Sequence, residues 1–304
     1  MLLISNKSKS RRFLKRTYSG LLERRNKYGK KEFSKTETLE THHERYRKVL
    51  KELTIMSDVF MRNVFKKQEC TEYVLQVIMK EKNLHVIDQV LQKDYKNLQG
   101  RSATLDCVAT DSTGKLFNAE IQQENEGASP KRARYHSGLM DMNILDPGQN
   151  FDKLPESYVI FITRNDPLGY GLPIYHIDRK ISEISETFQD KTHIIYVNSN
   201  IQDDSELGRL MHDLNCKNSK DMYSKILAKR VFELKETPKG VKYMCRELEE
   251  LCNESFELGQ QYKEKETALS MIEDNIPIEK IAFYIKVSPE TVQKWVDESL
   301  ANTK

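Results

Sequence analysis

Apolar and polar residues alternate along two neighbouring stretches, TLDCVATD (104–111) and KLFNAEIQ (115–122), separated only by Ser112, Thr113 and Gly114. A period of two predicts strands. A three-residue connection ending in glycine predicts a hairpin, because the last loop residue must adopt a left-handed conformation. If Asp111 pairs with Lys115, Asp106 falls directly across from Glu120. The same period places Leu105, Cys107, Ala109, Phe117, Ala119 and Ile121 on one face. Thr104, Asp106, Thr110, Asn118, Glu120 and Gln122 take the other. The expected hairpin has an apolar underside beneath a polar, acidic working surface.

The flanking segments read as alternating helices and strands. Residues 53–81 are helical with a break near Lys66, Lys67 and Gln68; Cys70, Val74, Val77 and Ile78 share one stripe, and Glu69, Glu72 and Gln76 another. Residues 84–95 suit a strand leading towards the hairpin. Beyond it, Ser129 makes an N-cap and Pro130 a first helical residue for a helix that continues to Leu145. SYVIFIT (157–163) is almost continuously apolar, as a strand buried on both faces should be. Residues 172–177 and 193–197 are further strands, and the pattern turns helical from about Ser205. The expected fold class is α/β, a mixed sheet flanked by helices with a helical C-terminal region.

The last of these helical segments, 267–299, reads as three short helices. Ile281, Ala282, Ile285, Val287, Val292, Trp295 and Val296 are spaced to pack together, leaving Thr291, Gln293 and Lys294 outward. Two readings stand for it: a helix–turn–helix contacting DNA, or a packing or dimerisation element. Glu290, Asp297 and Glu298 weaken a groove-binding face and weigh towards packing.

Charge adds a further feature. The 304 residues carry a formal net charge of only +3, yet between Lys7 and Lys31 Glu23 is the lone acid among many lysines and arginines. Residues 1–45 are therefore expected to be a basic, flexible arm. No run approaches the roughly 18 apolar residues of a membrane span, and the N-terminal MLLIS is too short for a signal-peptide core. Five cysteines form no CxxC, so free thiols in a reducing cytoplasm are expected. None of the seven histidines has metalloprotease spacing.

The acids on the hairpin carry the candidate chemistry. Side chains directly opposed across two strands start roughly 4.5–5.5 Å apart at Cβ. Two carboxylates that close repel unless positive charge lies between them, and a hard divalent cation with oxygen ligands fits. A hairpin whose polar face simply meets water is the other reading. Lys131, Arg132 and Arg134 stand at the start of the next helix, where a helix N-terminus and guanidinium groups make a phosphate site; a solvated basic face is the alternative.

With these positions in view, the chain resembles the PD-(D/E)XK nuclease superfamily, and within it the recombination-promoting nuclease or transposase family. The resemblance spans about residues 53–257. It is carried by MSDVFMRNVF (56–65), NLQGRSATLD (97–106), NAEIQQ (118–123), PKRARYHS (130–137), YVIFITRNDPLGYGLPIYHI (158–177), IIYVN (194–198), LMHDL (210–214) and MYSKILAKRV (222–231). It implies a restriction-endonuclease-like core that cleaves DNA using Mg²⁺, with Mn²⁺ as a substitute. Asp106 is then the motif aspartate and Glu120 the motif glutamate. Gln122 stands where the superfamily signature has lysine, and Leu105 where it has proline.

The mechanism so implied gives Asp106, Glu120 and the Ile121 carbonyl to the metal, with Glu72 reaching it through water. Gln122 orients the attacking water, and Arg132, Arg134 and Lys131 grip phosphates. Duplex DNA is the expected partner, and a homodimer would explain double-strand cutting. The organisation expected is an arm (1–45), a nuclease-like core (46–203), a helical extension (204–262) and a small helical tail (263–304). The rival reading is a non-catalytic DNA-binding or accessory protein using the basic arm and the terminal helices.

Overall fold

The computed structural model describes residues 39–97, 102–123 and 125–301. Most of the expected basic arm, residues 1–38, lies outside the described residues, as does the 98–101 connection. The chain runs as α1 (Leu39–Glu52), α2 (Asp58–Phe65), α3 (Gln68–Met79), β1 (Val86–Tyr95), β2 (Ala103–Asp111), β3 (Leu116–Gln122), α4 (Pro130–Met142), β4 (Ser157–Thr163), β5 (Ile174–Ile177) and β6 (Thr192–Asn198). Five helices follow: α5 (Glu206–Asn215), α6 (Lys225–Lys235), α7 (Pro238–Glu273), α8 (Ile278–Ile285) and α9 (Pro289–Ala301).

The strands form one mixed sheet in the order β1-β2-β3-β4-β6-β5. β1, β2 and β3 are antiparallel neighbours; β3, β4 and β6 run parallel; β5 closes the edge antiparallel to β6. This is the restriction-endonuclease-like α/β architecture expected above. Every residue of β3 and β4 is buried, as central strands covered on both faces require.

The sheet pairs fix which helix covers which face. Cys107 lies opposite Ala119 in the β2–β3 ladder, and Thr71 of α3 lies beside the Cys107 thiol. The helices α2 and α3 therefore lie over the apolar underside. Glu120 lies beside Phe161 in the β3–β4 ladder, and the ring of His136 on α4 sits 5.9 Å from that of Phe161. Thus α4 covers the face that carries the acids. Beneath α4, Val159, Phe161 and Tyr196 pack with Ala133, Leu139 and Met140.

Two boundaries differ from the expected ones. Residues 53–57 are not helical: Ser57 is extended, and the Met56 amide donates to the Leu214 carbonyl at 3.1 Å, so a tertiary bond replaces a helical one. The first of the three expected terminal helices is instead the end of α7, 36 residues long, because nothing between Lys239 and Glu273 breaks it: proline is absent and Gly240 and Gly259 are tolerated.

The described residues fall into two compact units that divide between Arg246 and Glu247. In the second, Ala268, Ile281, Ala282 and Val292 form a small core with Trp295, Ile285 and Val287 against it. Gln293 and Lys294 are exposed, and the Gln293 side chain bonds Asp297 at 2.8 Å.

Candidate active site

The hairpin has the register that its loop dictates. Cys107 faces Ala119 and Thr110 faces Leu116; the Asp111 amide donates to the Lys115 carbonyl at 3.1 Å. Gly114 has φ +86°, the left-handed geometry expected of that position. Asp111 seals the loop, its Oδ1 accepting from Thr113 N and Lys115 N, each at 2.9 Å. Continuing this ladder brings Asp106 against Glu120, and the Asp106 amide donates to Glu120 Oε1 at 3.1 Å.

These acids do not lie on an open surface. Glu120 is 0 % exposed and Asp106 3 %. The polar working face expected of the hairpin is instead roofed by α4. That helix follows β3 after one short connection and is capped by Ser129, whose Oγ accepts from the Arg132 amide. Arg132 and His136, one turn apart, face down onto Glu120. Arg132 Nη2 stands 3.7 Å from Glu120 Oε2, and His136 Nδ1 stands 3.7 Å from Oε1. Arg132 Nε donates to His136 Nε2 at 3.2 Å, which fixes Nε2 as the acceptor and leaves the ring proton on Nδ1, towards the carboxylate.

Gln122 completes the cluster from β3. Its Nε2 donates to Glu120 Oε2 at 3.1 Å, and Asn118 Nδ2 lies 3.5 Å from Oε1. The buried carboxylate is thus surrounded by donors, which is what burying a charge demands. Gly127 is the backbone counterpart of this packing: a Cβ there would stand 2.1 Å from Gln122 Oε1. On the far side of the site, Gln92 of β1 donates from Nε2 to Asp106 Oδ1 at 3.3 Å.

The other expected site residues are placed less closely. Glu72 accepts from the Val86 amide at 2.9 Å and lies 3.6 Å from His85 Nδ1, so it secures the start of β1. Gln92, beside Asp106, is six residues further along that strand, roughly 20 Å away at the rise of an extended chain. The structure does not bring Glu72 to the acids. Lys131 and Arg134 are exposed on α4 and flank Arg132 without entering the cluster. Ile121 points its side chain to the opposite face, leaving its backbone as the group closest to the acids in sequence. Cys107, also on that face, has its thiol pushed up to about 12 by burial, so it is no nucleophile.

Three participants escaped the sequence reading. His136 carries one signal, its spacing of four from Arg132 on a helix. Gln92 carries none, since its place depends on a non-local strand pairing. Gly127 shows only as a glycine after β3.

The donor set suits a divalent ion of the magnesium type. Mg²⁺ keeps several waters and is held by one or two carboxylates plus substrate phosphates, not by an all-protein cage. Two buried carboxylates on adjacent strands match that demand, and among the described residues no group of three or more His, Cys, Asp or Glu side chains forms a metal cage.

No curated protein and no solved structure matches the chain. A family model does: the PD-(D/E)XK nuclease family transposase, over residues 60–207. That span holds the whole sheet, from β1 to β6, and every residue of the acidic cluster. PD-(D/E)XK nucleases generally use divalent metals, and the family implies a DNA substrate. Residues 60–207 of the chain, which include the sheet and its acidic cluster, are thus similar to the PD-(D/E)XK nuclease family transposases.

Proposed function

We propose that the protein is a Mg²⁺-dependent DNA endonuclease, and the observation that carries this is the buried Asp106–Glu120 pair roofed by Arg132. Asp106, Glu120 and the Ile121 carbonyl would hold the ion. A bound Mg²⁺ supplies the Lewis acidity and the water activation that phosphodiester hydrolysis needs. Arg132, partly exposed beside Glu120, offers a fixed positive charge to the phosphate as negative charge builds on it. Lys131 and Arg134, exposed on the same helix, hold neighbouring phosphates of the duplex and contribute affinity that salt weakens.

Gln122 is the departure from the superfamily signature. Its amide donates to Glu120 and leaves Oε1 as an acceptor, so it can orient a water but adds no charge. Arg132 supplies the charge that lysine would otherwise bring. A homodimer, with one site per strand, fits double-strand cutting, and recombination would follow from the ends so made.

The test is single-turnover cleavage of plasmid and of labelled duplex across a Mg²⁺ titration. The wild type should cut only with a divalent ion. Asp106→Ala and Glu120→Gln should each lose on the order of 10²-fold or more, as for other removals of preorganised charge at a reaction centre. DNA binding should persist in both, since one carboxylate fewer repels phosphate less. Gln122→Lys should keep or raise the rate. A wild type that binds duplex yet fails to cut it with every divalent ion tested would leave the non-catalytic DNA-binding reading in its place.

A further inference from the structure

Gln92 combines two unusual features at one point. Its φ is +53°, and among the described residues it is the only non-glycine inside a strand with a positive φ; the others end helices or turn loops. A residue with a Cβ in that region costs of order 1–3 kcal/mol, and such residues cluster where function requires them. The β1–β2 ladder keeps one register on both sides of it, Leu91 with Cys107 and Lys93 with Leu105. Gln92 is therefore the residue across from Asp106, and its backbone leaves the extended conformation there while the register is kept. Its side-chain amide is the second feature, donating to Asp106 Oδ1 at 3.3 Å.

We propose that Gln92 is a positioning residue for the candidate metal centre. By holding Oδ1 of Asp106, its amide fixes the carboxylate rotamer and leaves the other oxygen for an ion. The left-handed backbone sets the direction from which this amide meets its neighbour's carboxylate. The inference rests on Asp106 being a metal ligand.

The experiment measures Mn²⁺ affinity of the full chain by electron paramagnetic resonance, with melting temperature read in parallel. Gln92→Gly removes the amide and relieves the backbone; Gln92→Met removes the amide, keeps the length and retains the unfavourable φ. Outer-sphere partners of metal ligands are typically worth about 10–100-fold in affinity. Both variants should weaken Mn²⁺ by about that factor, while Gln92→Gly melts at or above the wild-type temperature and Gln92→Met at or below it. If Gln92→Gly binds Mn²⁺ like the wild type while Asp106→Asn does not, the proposal is overturned and the metal site stands. Unchanged affinity in Asp106→Asn would overturn both.

Discussion

Asp106 and Glu120 show how a residue's role depends on what lies above it. Their alternation places them on one face, but the positive charge beside Glu120 comes from Arg132, with His136, Gln122, Asn118 and the Asp106 amide around the same carboxylate. Gly127 tests how closely this cluster is held. Alanine there would meet Gln122 Oε1 at 2.1 Å, so the flexible amide must move and its bond to Glu120 is lost. Since the obstruction is the end of a side chain, the fold should survive: we expect Gly127→Ala to lower the melting temperature by only a few degrees, about 1 kcal/mol of stability. Cleavage should fall by a larger factor, and Gly127→Ala combined with Gln122→Ala should be no worse than Gln122→Ala alone. Additive losses in that double-mutant cycle would mean Gly127 acts on something else.

At the scale of elements, α6 binds the early helices to the rest. Lys235, in its last turn, donates to the carbonyls of Leu53 at 2.5 Å, Lys217 at 2.7 Å and Lys51 at 3.2 Å, and lies over the Phe60 ring. The end of α1 and the turn before α6 thus share one ammonium group in place of helical partners. Burial draws its pKa down to about 8, below its ordinary value near 10.5. The folded state therefore disfavours the charged form, and the unfolded chain binds more protons between those two values. This group's contribution to stability should rise with pH from about 8 to 10.5. Lys235→Met keeps the stem over Phe60 but leaves three carbonyls without their donor. It should cost about 2–3 kcal/mol, read by urea denaturation, and should remove that rise with pH. A midpoint unmoved by the substitution would show that the carbonyls find other donors.

The described residues fall into two compact units. The sheet and its helices form the first unit; the second runs from Glu247 onward with a core of its own. A unit of that size buries a smaller fraction of its surface than a larger one and is correspondingly marginal. Trp295 is the single tryptophan of the chain and packs against the smaller core. Tryptophan fluorescence should therefore report the second unit alone, while far-ultraviolet circular dichroism reports both. On heating we expect the fluorescence transition to come first and the circular dichroism trace to show two steps. Coincident single transitions by both probes would mean that the units unfold as one. Among the described residues no helix is long and apolar enough to cross a membrane.

Much of this architecture was legible from the chain, because it depends on local rules. The three-residue loop with Gly114 at its end sets the hairpin register, and a register set by turn geometry carries Asp106 to Glu120 with no further information. The Ser129–Pro130 cap starts α4, and the almost continuously apolar run of 157–163 marks a strand covered twice. Tertiary packing decided what those rules leave open. Burial of the acids follows from α4 folding back over its own hairpin, which no period in the sequence encodes. Glu72 sits on the expected polar stripe, yet the β1 pairing puts that stripe at the wrong end of the strand. Gln92 reaches Asp106 only because β1, a separate strand, lies beside β2. Pairing within a hairpin is specified by a few adjacent residues, whereas contacts between distant segments depend on how the whole sheet and its helices share one core.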